Sequence, residues 1–324
     1  MPALALTQAP ANELGADAPL VWHALAATRA AALAAAAWAG RGDAHAADAA
    51  ATSAMRSALG RAAATGVVVT GEGAKDDAPM LADGELTGAG RPTFDIAVDP
   101  LECTDLCAHG LPGALSTIAV APQGSLWSPG PAFYMDKLVL PPVARVAARI
   151  TDSPATVVQS VAEALGKDVA QLRVVVLDKP RHDALIAKLR SVGACVATPS
   201  AGDVAGALAV LLPDGGADLL LGIGGTPEGV LAACAARALG GGMQGRVAPQ
   251  RDDERAAVEA AGLSPDRVLE LDDLVAAGAA FVATGVTGGL LAPPSRQDGF
   301  ITTESIVIAN GVVRYIRQTS RSEE

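Results

Sequence analysis

Aromatic side chains are nearly missing from this chain. Phe, Trp and Tyr make up 3% of its 324 residues, so large rings cannot fill the core. With 50% hydrophobic residues and 35 glycines, the interior must close through alanine, valine and glycine. That composition fits helices packed closely on sheets. Cysteine is also sparse. Cys103, Cys107, Cys195 and Cys234 are too few for a disulfide scaffold at this length and point to a reducing compartment. Cations are outnumbered, 24 Lys and Arg against 35 Asp and Glu, and the net charge of -11 argues against a broad basic surface for nucleic acid. A locally basic pocket for a phosphorylated substrate stays compatible with that balance.

Other signals are missing as well. Positions 20–40 carry almost no charge, but His23 and Arg29 interrupt the run and most of the rest is alanine. A buried helix is the reading, not a membrane span. Met1–Pro19 lacks a basic segment followed by an apolar core, so it does not read as a secretory signal. It is expected to be a mobile tail on a cytoplasmic protein. Gly222–Gly229 is glycine-rich, but no acidic partner follows at the spacing a nicotinamide cofactor needs. Cys103-x3-Cys107-x-His109 is an incomplete zinc cluster. No internal repeat is present.

What is there centres on Phe94-Asp95-Ile96-Ala97-Val98-Asp99-Pro100-Leu101-Glu102-Cys103-Thr104. Phe94, Ile96 and Val98 alternate with Asp95, Ala97 and Asp99, the period of a strand. Pro100 lacks a backbone donor and is expected to stop it. Asp99, Glu102 and Thr104 would then share one loop, a hard oxygen site suited to Mg²⁺ or Mn²⁺ with a phosphate. On these residues alone, a plain polar loop after a buried strand is equally open. The design recurs earlier: the strand Gly66–Thr70 runs into Gly71-Glu72-Gly73, with Asp76 and Asp77 following.

The remainder alternates helix and strand. Helices are expected at 20–39, from about Asp48 to Leu59, at 153–165, from Asp183 to Leu189, from Gly202, at 226–239 and within 250–265. Strands are expected near 115–121, 125–127, 172–177, 195–198, 219–222, 269–274 and 281–284, with a terminal pair at 305–308 and 312–317 turned by Asn310-Gly311. Lys179 and Arg181 fall between a strand and a helix N-terminus, where cations and free N–H groups suit a phosphate. Gly224 and Gly225 precede another such helix, with Pro227 in its first turn. Tyr134, one of two tyrosines, is a candidate ligand contact. Pro141–Ile150 is a candidate hinge between halves.

Together these runs resemble the class II fructose-1,6-bisphosphatases of the lithium-sensitive, metal-dependent phosphatase superfamily. The matching pieces, in family order, are G-R-G-D-x4-D at 40–48, G-E-G-x2-D-D-A-P-M-L at 71–81, D-x3-D-P-L-E-x-T at 95–104 and F-Y-M-D-K-L at 133–138. They continue with K-P-R-H-D at 179–183, G-D-V at 202–204, G-I-G-G-x-P-E-G-V at 222–230 and A-T-G-V-T at 283–287. The resemblance implies an α/β fold layered α/β/α/β/α. Residues 20–145 would form a metal-binding phosphatase subdomain and 146–317 a sugar-phosphate-binding subdomain, with frayed tails at 1–19 and 318–324.

It further implies hydrolysis of a sugar bisphosphate, most simply fructose 1,6-bisphosphate, by a homodimer or homotetramer holding two or more Mn²⁺ or Mg²⁺ ions. Asp48, Glu72, Asp99, Glu102 and Glu228 would ligate metal. Glu102, Cys103, Thr104, Tyr134, Lys179, Pro180, Arg181, Gly202, Asp203 and Gly225 would contact substrate, with Asp76 and Thr104 handling the attacking water. Cys103 replaces the family's glycine, Ala44 a usual lysine, Ala74 an often charged residue and Ala201 a common aspartate. These departures keep other readings in view: a sedoheptulose-1,7-bisphosphatase or another specialised sugar phosphatase, a non-catalytic sugar-phosphate-binding protein, and an inositol- or nucleotide-phosphate phosphatase.

Overall fold

A computed structural model describes residues 18–62, 65–71, 80–88 and 90–321. The alanine-rich start is α1 (Ala18–Ala36), and α2 (Ala44–Leu59) folds back on it. Gly40 and Gly42 make the turn with φ of 73° and 75°, a region glycine enters at little cost. Their N–H groups donate to the Cys107 and Ala108 carbonyls at 2.9 and 2.8 Å. Asp43 caps α2 by accepting from the Ala46 N–H at 2.9 Å.

Two mixed sheets follow. The first is built from β1 (Gly66–Thr70), β2 (Leu86–Thr87), β3 (Phe94–Glu102) and, past α3 (Thr104–Ala108), β4 (Leu115–Pro122). The chain then enters the second sheet with β5 (Tyr134–Leu140). There α4 (Pro154–Leu165), β6 (Arg173–Val175), α5 (Asp183–Ser191), β7 (Cys195–Ala197), α6 (Asp203–Leu211), β8 (Leu219–Gly225), α7 (Thr226–Leu239), β9 (Gly242–Val247), α8 (Asp252–Ala260), β10 (Leu269–Glu270) and α9 (Leu271–Leu274) follow. It returns to the first sheet with β11 (Ala280–Gly285), β12 (Ser295–Gln297), β13 (Phe300–Ala309) and β14 (Val312–Arg321). The strand orders are β12-β13-β11-β4-β3-β1-β2, with β14 also on β13, and β10-β9-β5-β8-β6-β7.

The layers can be read from which residues share a core. In β3, Ile96 and Val98 pack with Ala27, Ala31 and Met55 of α1 and α2, while Ala97 between them belongs to the inter-sheet core. In β5, Met135 and Val139 face that inter-sheet core, and Leu138 and Leu140 face α4 and α5 through Val158, Val161 and Leu189. The middle layer is α6 and α7, and α7 has ten buried residues because both its faces meet a sheet. The result is the α/β/α/β/α sandwich.

Several local expectations are corrected. Pro100 does not end its strand: β3 continues to Glu102 across a register shift. Asp99 pairs with Thr117 and Glu102 with Leu115, so β3 carries one extra residue, and Pro100 sits in this bulge where no ladder donor is required. Residues 125–127 form no strand, only an isolated bridge from Leu126 to Val275, because Asp95 draws the Ser125 and Leu126 N–H groups to its buried carboxylate. Residues 269–274 divide into a two-residue strand and a helical turn, opened by Glu270 and Asp273 capping each other's backbone N–H. The Asn310-Gly311 turn is as expected, with φ of 51° and 78°.

Candidate active site

A cleft of about 760 Å³ opens where β3, β6 and β8 end and α3, α6 and α7 begin. Carboxyl ends of strands and amino ends of helices are the usual place for an anionic ligand in such folds. The β3 bulge builds its acidic part. Residues three apart on a regular strand face opposite sides; the extra residue brings Asp99 and Glu102 to the same side. Glu228, in the first turn of α7, meets them there. One carboxylate oxygen from each of the three lies within 4.8 Å of the others.

Secondary contacts hold this trio in place. Asp99 accepts from the Leu101 N–H at 3.1 Å, and Glu102 from the Val204 N–H at the start of α6 at 3.2 Å. Gly224 and Gly225 serve two of the cleft's carboxylates. A Cβ on Gly225 would stand 1.8 Å from the Glu228 carboxylate, and one on Gly224 would stand 1.7 Å from that of Asp203. Burial, then the Glu228 charge, push Glu102 up to about 7, with Asp203 adding and a hydrogen bond with Asp99 opposing. An all-oxygen group under this mutual repulsion, with Glu102 buried and Asp99 and Glu228 half-buried, fits a hard divalent cation, whose charge would relieve it.

Asp48, on α2, lines the same cleft but lies outside that trio. Glu72 and Asp76 fall outside the described residues. Thr104, the first residue of α3, lines the cleft and donates its hydroxyl proton to the Leu101 carbonyl at 2.9 Å. Cys103 lines it as well. Its φ of 64° and ψ of 50° are left-handed, the conformation that favours the glycine expected there. Burial, then the Glu102, Asp99, Asp203 and Glu228 charges, push its thiol far above the ordinary range; burial raises Cys107 too. Both stay protonated and poorly nucleophilic.

Lys179, Arg181, Gly202, Asp203 and Gly225 line the cleft, as do Ala44 and Ala201. Pro180 is exposed in the 3-10 turn after Lys179 and is not among the lining residues. Tyr134 touches the site through Arg181, whose guanidinium lies 5.2 Å from the ring centre. Arg181 also donates from Nε and Nη2 to the Ile223 carbonyl at 3.1 and 2.9 Å.

Two residues were missed by sequence reasoning. His182 is buried; its Nδ1 donates to the Leu177 carbonyl and its Nε2 accepts from the Ile223 N–H, both at 2.8 Å. It bolts the Lys179–Arg181 turn onto β8 under Gly222, whose φ is 123° and whose Cβ would meet the imidazole at 2.9 Å. Lys137 is 1% exposed and pairs with Asp203 at 2.9 Å. Each lay inside a matched motif, and no periodicity could have assigned its contacts.

Over residues 18–320 the chain matches the family model described as bacterial fructose-1,6-bisphosphatase, glpX-encoded. It is 41% identical over 269 residues to fructose-1,6-bisphosphatase 1 class 2 of Escherichia coli (strain K12), covering 78% of this chain and 80% of that protein. The class 2 fructose-1,6-bisphosphatases of Escherichia coli O6:H1 and Shigella flexneri match equally. This chain therefore belongs to the bacterial, glpX-encoded fructose-1,6-bisphosphatase family.

Proposed function

We propose that the protein is a phosphoric monoester hydrolase that removes the 1-phosphate of fructose 1,6-bisphosphate. The observation that carries this reading is the close trio Asp99, Glu102 and Glu228 in one cleft with Lys179 and Arg181, within a family-wide match. Asp48, Glu72, Asp99, Glu102 and Glu228 would hold two or more Mn²⁺ or Mg²⁺ ions. The chemistry such ions supply is polarisation of the phosphoryl group, activation of water and neutralisation of the leaving alkoxide. In this reading residues 20–145 supply four of the five ligands, and residues 146–317 supply most sugar-phosphate contacts.

Thr104 gives its proton to Leu101, so its oxygen lone pairs are left to accept from water. That makes it an orienting group, and Asp76 the candidate base. Lys179 and Arg181 would grip the second, non-reacting phosphate. Arg181 keeps Nη1 for this, because Nε and Nη2 are engaged by Ile223. Cys103, Tyr134, Pro180, Gly202, Asp203 and Gly225 complete the proposed substrate contacts. A cytoplasmic homodimer or homotetramer is the proposed working form, to be tested by light scattering.

Phosphate release with Mn²⁺ from fructose 1,6-bisphosphate tests the assignment; no turnover on any sugar bisphosphate would remove it. Sedoheptulose 1,7-bisphosphate is the second substrate to try. Ala44, Ala201 and Cys103 all line the cleft at positions where family residues differ, which favours altered sugar preference.

A further inference from the structure

Among the described residues Lys137 is the one lysine or arginine that is buried. Its position in β5 is prepared by missing side chains. It pairs with Gly222 on β8 and Gly245 on β9, and its stem passes Gly229 of α7, where a Cβ would lie 3.5 Å from its Cδ. The ammonium ends between two helix starts. It donates to the carbonyl of Gly225, the last residue of β8 and the one just before α7, at 3.0 Å, and pairs with Asp203, the first residue of α6, at 2.9 Å. The Asp203 carboxylate in turn fills the space a Gly224 side chain would need.

Four carboxylates thus crowd the ends of β3, α6 and α7: Asp99, Glu102, Asp203 and Glu228. Asp203 and Glu228 both act on Glu102 electrostatically. Lys137 is the cation that offsets one of these charges from beneath the cleft floor. A phosphate ester entering the cleft carries negative charge and meets the sum of these fields.

We propose that Lys137 is a positioning residue for the phosphoryl group: by neutralising Asp203 and tying α6 to α7 it keeps the cleft open to an anion. It touches neither substrate nor metal, and acts through Asp203 and the Gly225 carbonyl. The inference rests on the reading above, that the cleft takes a phosphate ester.

Inorganic phosphate, titrated calorimetrically at pH 8 with Mg²⁺ present, is the probe, because it involves neither turnover nor a sugar hydroxyl. Lys137→Met leaves Asp203 unopposed and weakens phosphate binding at least about tenfold, the scale of one unit charge within roughly 12 Å at an effective dielectric near 20. Asp203→Asn leaves Lys137 unopposed and strengthens it by a comparable factor. Lys137→Met/Asp203→Asn removes both charges, restores the balance and returns phosphate affinity close to wild type. Replacing a whole buried pair is tolerated better than breaking one, so the double variant also serves if Lys137→Met does not fold. A merely structural lysine would weaken phosphate in both single variants, and that result overturns the proposal. So does a double variant whose affinity is far from wild type, or a wild type that binds no phosphate. A wild type that binds phosphate but hydrolyses no sugar bisphosphate overturns the assigned function and leaves this inference standing.

Discussion

The carboxylates and the cations of the cleft are held in different ways. Asp99 and Glu102 stand on a bulged central strand, and Glu228 on a helix clamped between two sheets. Lys179 and Arg181 stand on a turn after a three-residue strand, with Arg181 exposed and leaning on the Ile223 carbonyl and the Tyr134 ring. The first set is fixed before any ligand arrives; in the second, His182 fixes the turn and the long Lys179 and Arg181 side chains are what can adjust. A site proposed to hold ions in a fixed arrangement and to receive a phosphate ester gains from that division.

The contrast can be broken most severely on its rigid side. Glu228→Gln or Asp99→Asn should lower Mn²⁺-dependent turnover on the order of 10³-fold, because lost charge stabilisation of several kcal/mol cannot be replaced by repositioning. Phosphate release checks this, and excess chelator on the unaltered protein should abolish activity outright. On the adjustable side, Arg181→Ala should raise KM for fructose 1,6-bisphosphate about 10- to 100-fold, the range for hydrogen bonds to charged groups. It should hardly change KM for an aryl monophosphate; equal effects on both would remove Arg181 from the second phosphate.

The raised Glu102 makes the rigid side sensitive to pH. Between an ordinary carboxylate value and about 7, the folded, metal-free protein binds a proton that the unfolded chain does not. Its stability should therefore fall as pH rises through that window, and Mn²⁺ should bind more tightly at pH 8 than at pH 6. Calorimetry at pH 6 in two buffers of different ionisation enthalpy should record about one proton released per ion cluster formed, the amount one carboxyl group contributes. No proton release would show that Glu102 is already ionised. The smallest effect belongs to Cys103. Cys103→Gly relieves a left-handed backbone and should raise stability by about 1 kcal/mol, with a modest gain in kcat/KM, measured by melting and steady-state kinetics.

Much of this was legible in the sequence because it is local. The capped, glycine-punctuated helices and the alternation of β3 follow from neighbours along the chain. So does the turn at Asn310-Gly311. Asp99 and Glu102 were legible as neighbours in one loop and Glu228 through the resemblance of its motif to the family's, although the route was not. A proline in a strand reads as a stop, and only the register against β4 reveals a bulge. Lys137 and His182 escaped for a different reason. Their partners, Asp203, Gly225, Leu177 and Ile223, are set by tertiary packing, and a lysine between Met135 and Val139 on one strand face does not name its partner.

The helix that carries Glu228 also limits how such a protein can diversify. Val230 to Ala236 press on β-strands from both directions, and alanine is the commonest residue among them. Enlarging one would wedge the two sheets apart and displace Glu228 in the same movement. New substrate preferences must therefore arise at the rim, at positions such as 44 and 201, where a side chain can change size without being transmitted through the centre of the molecule.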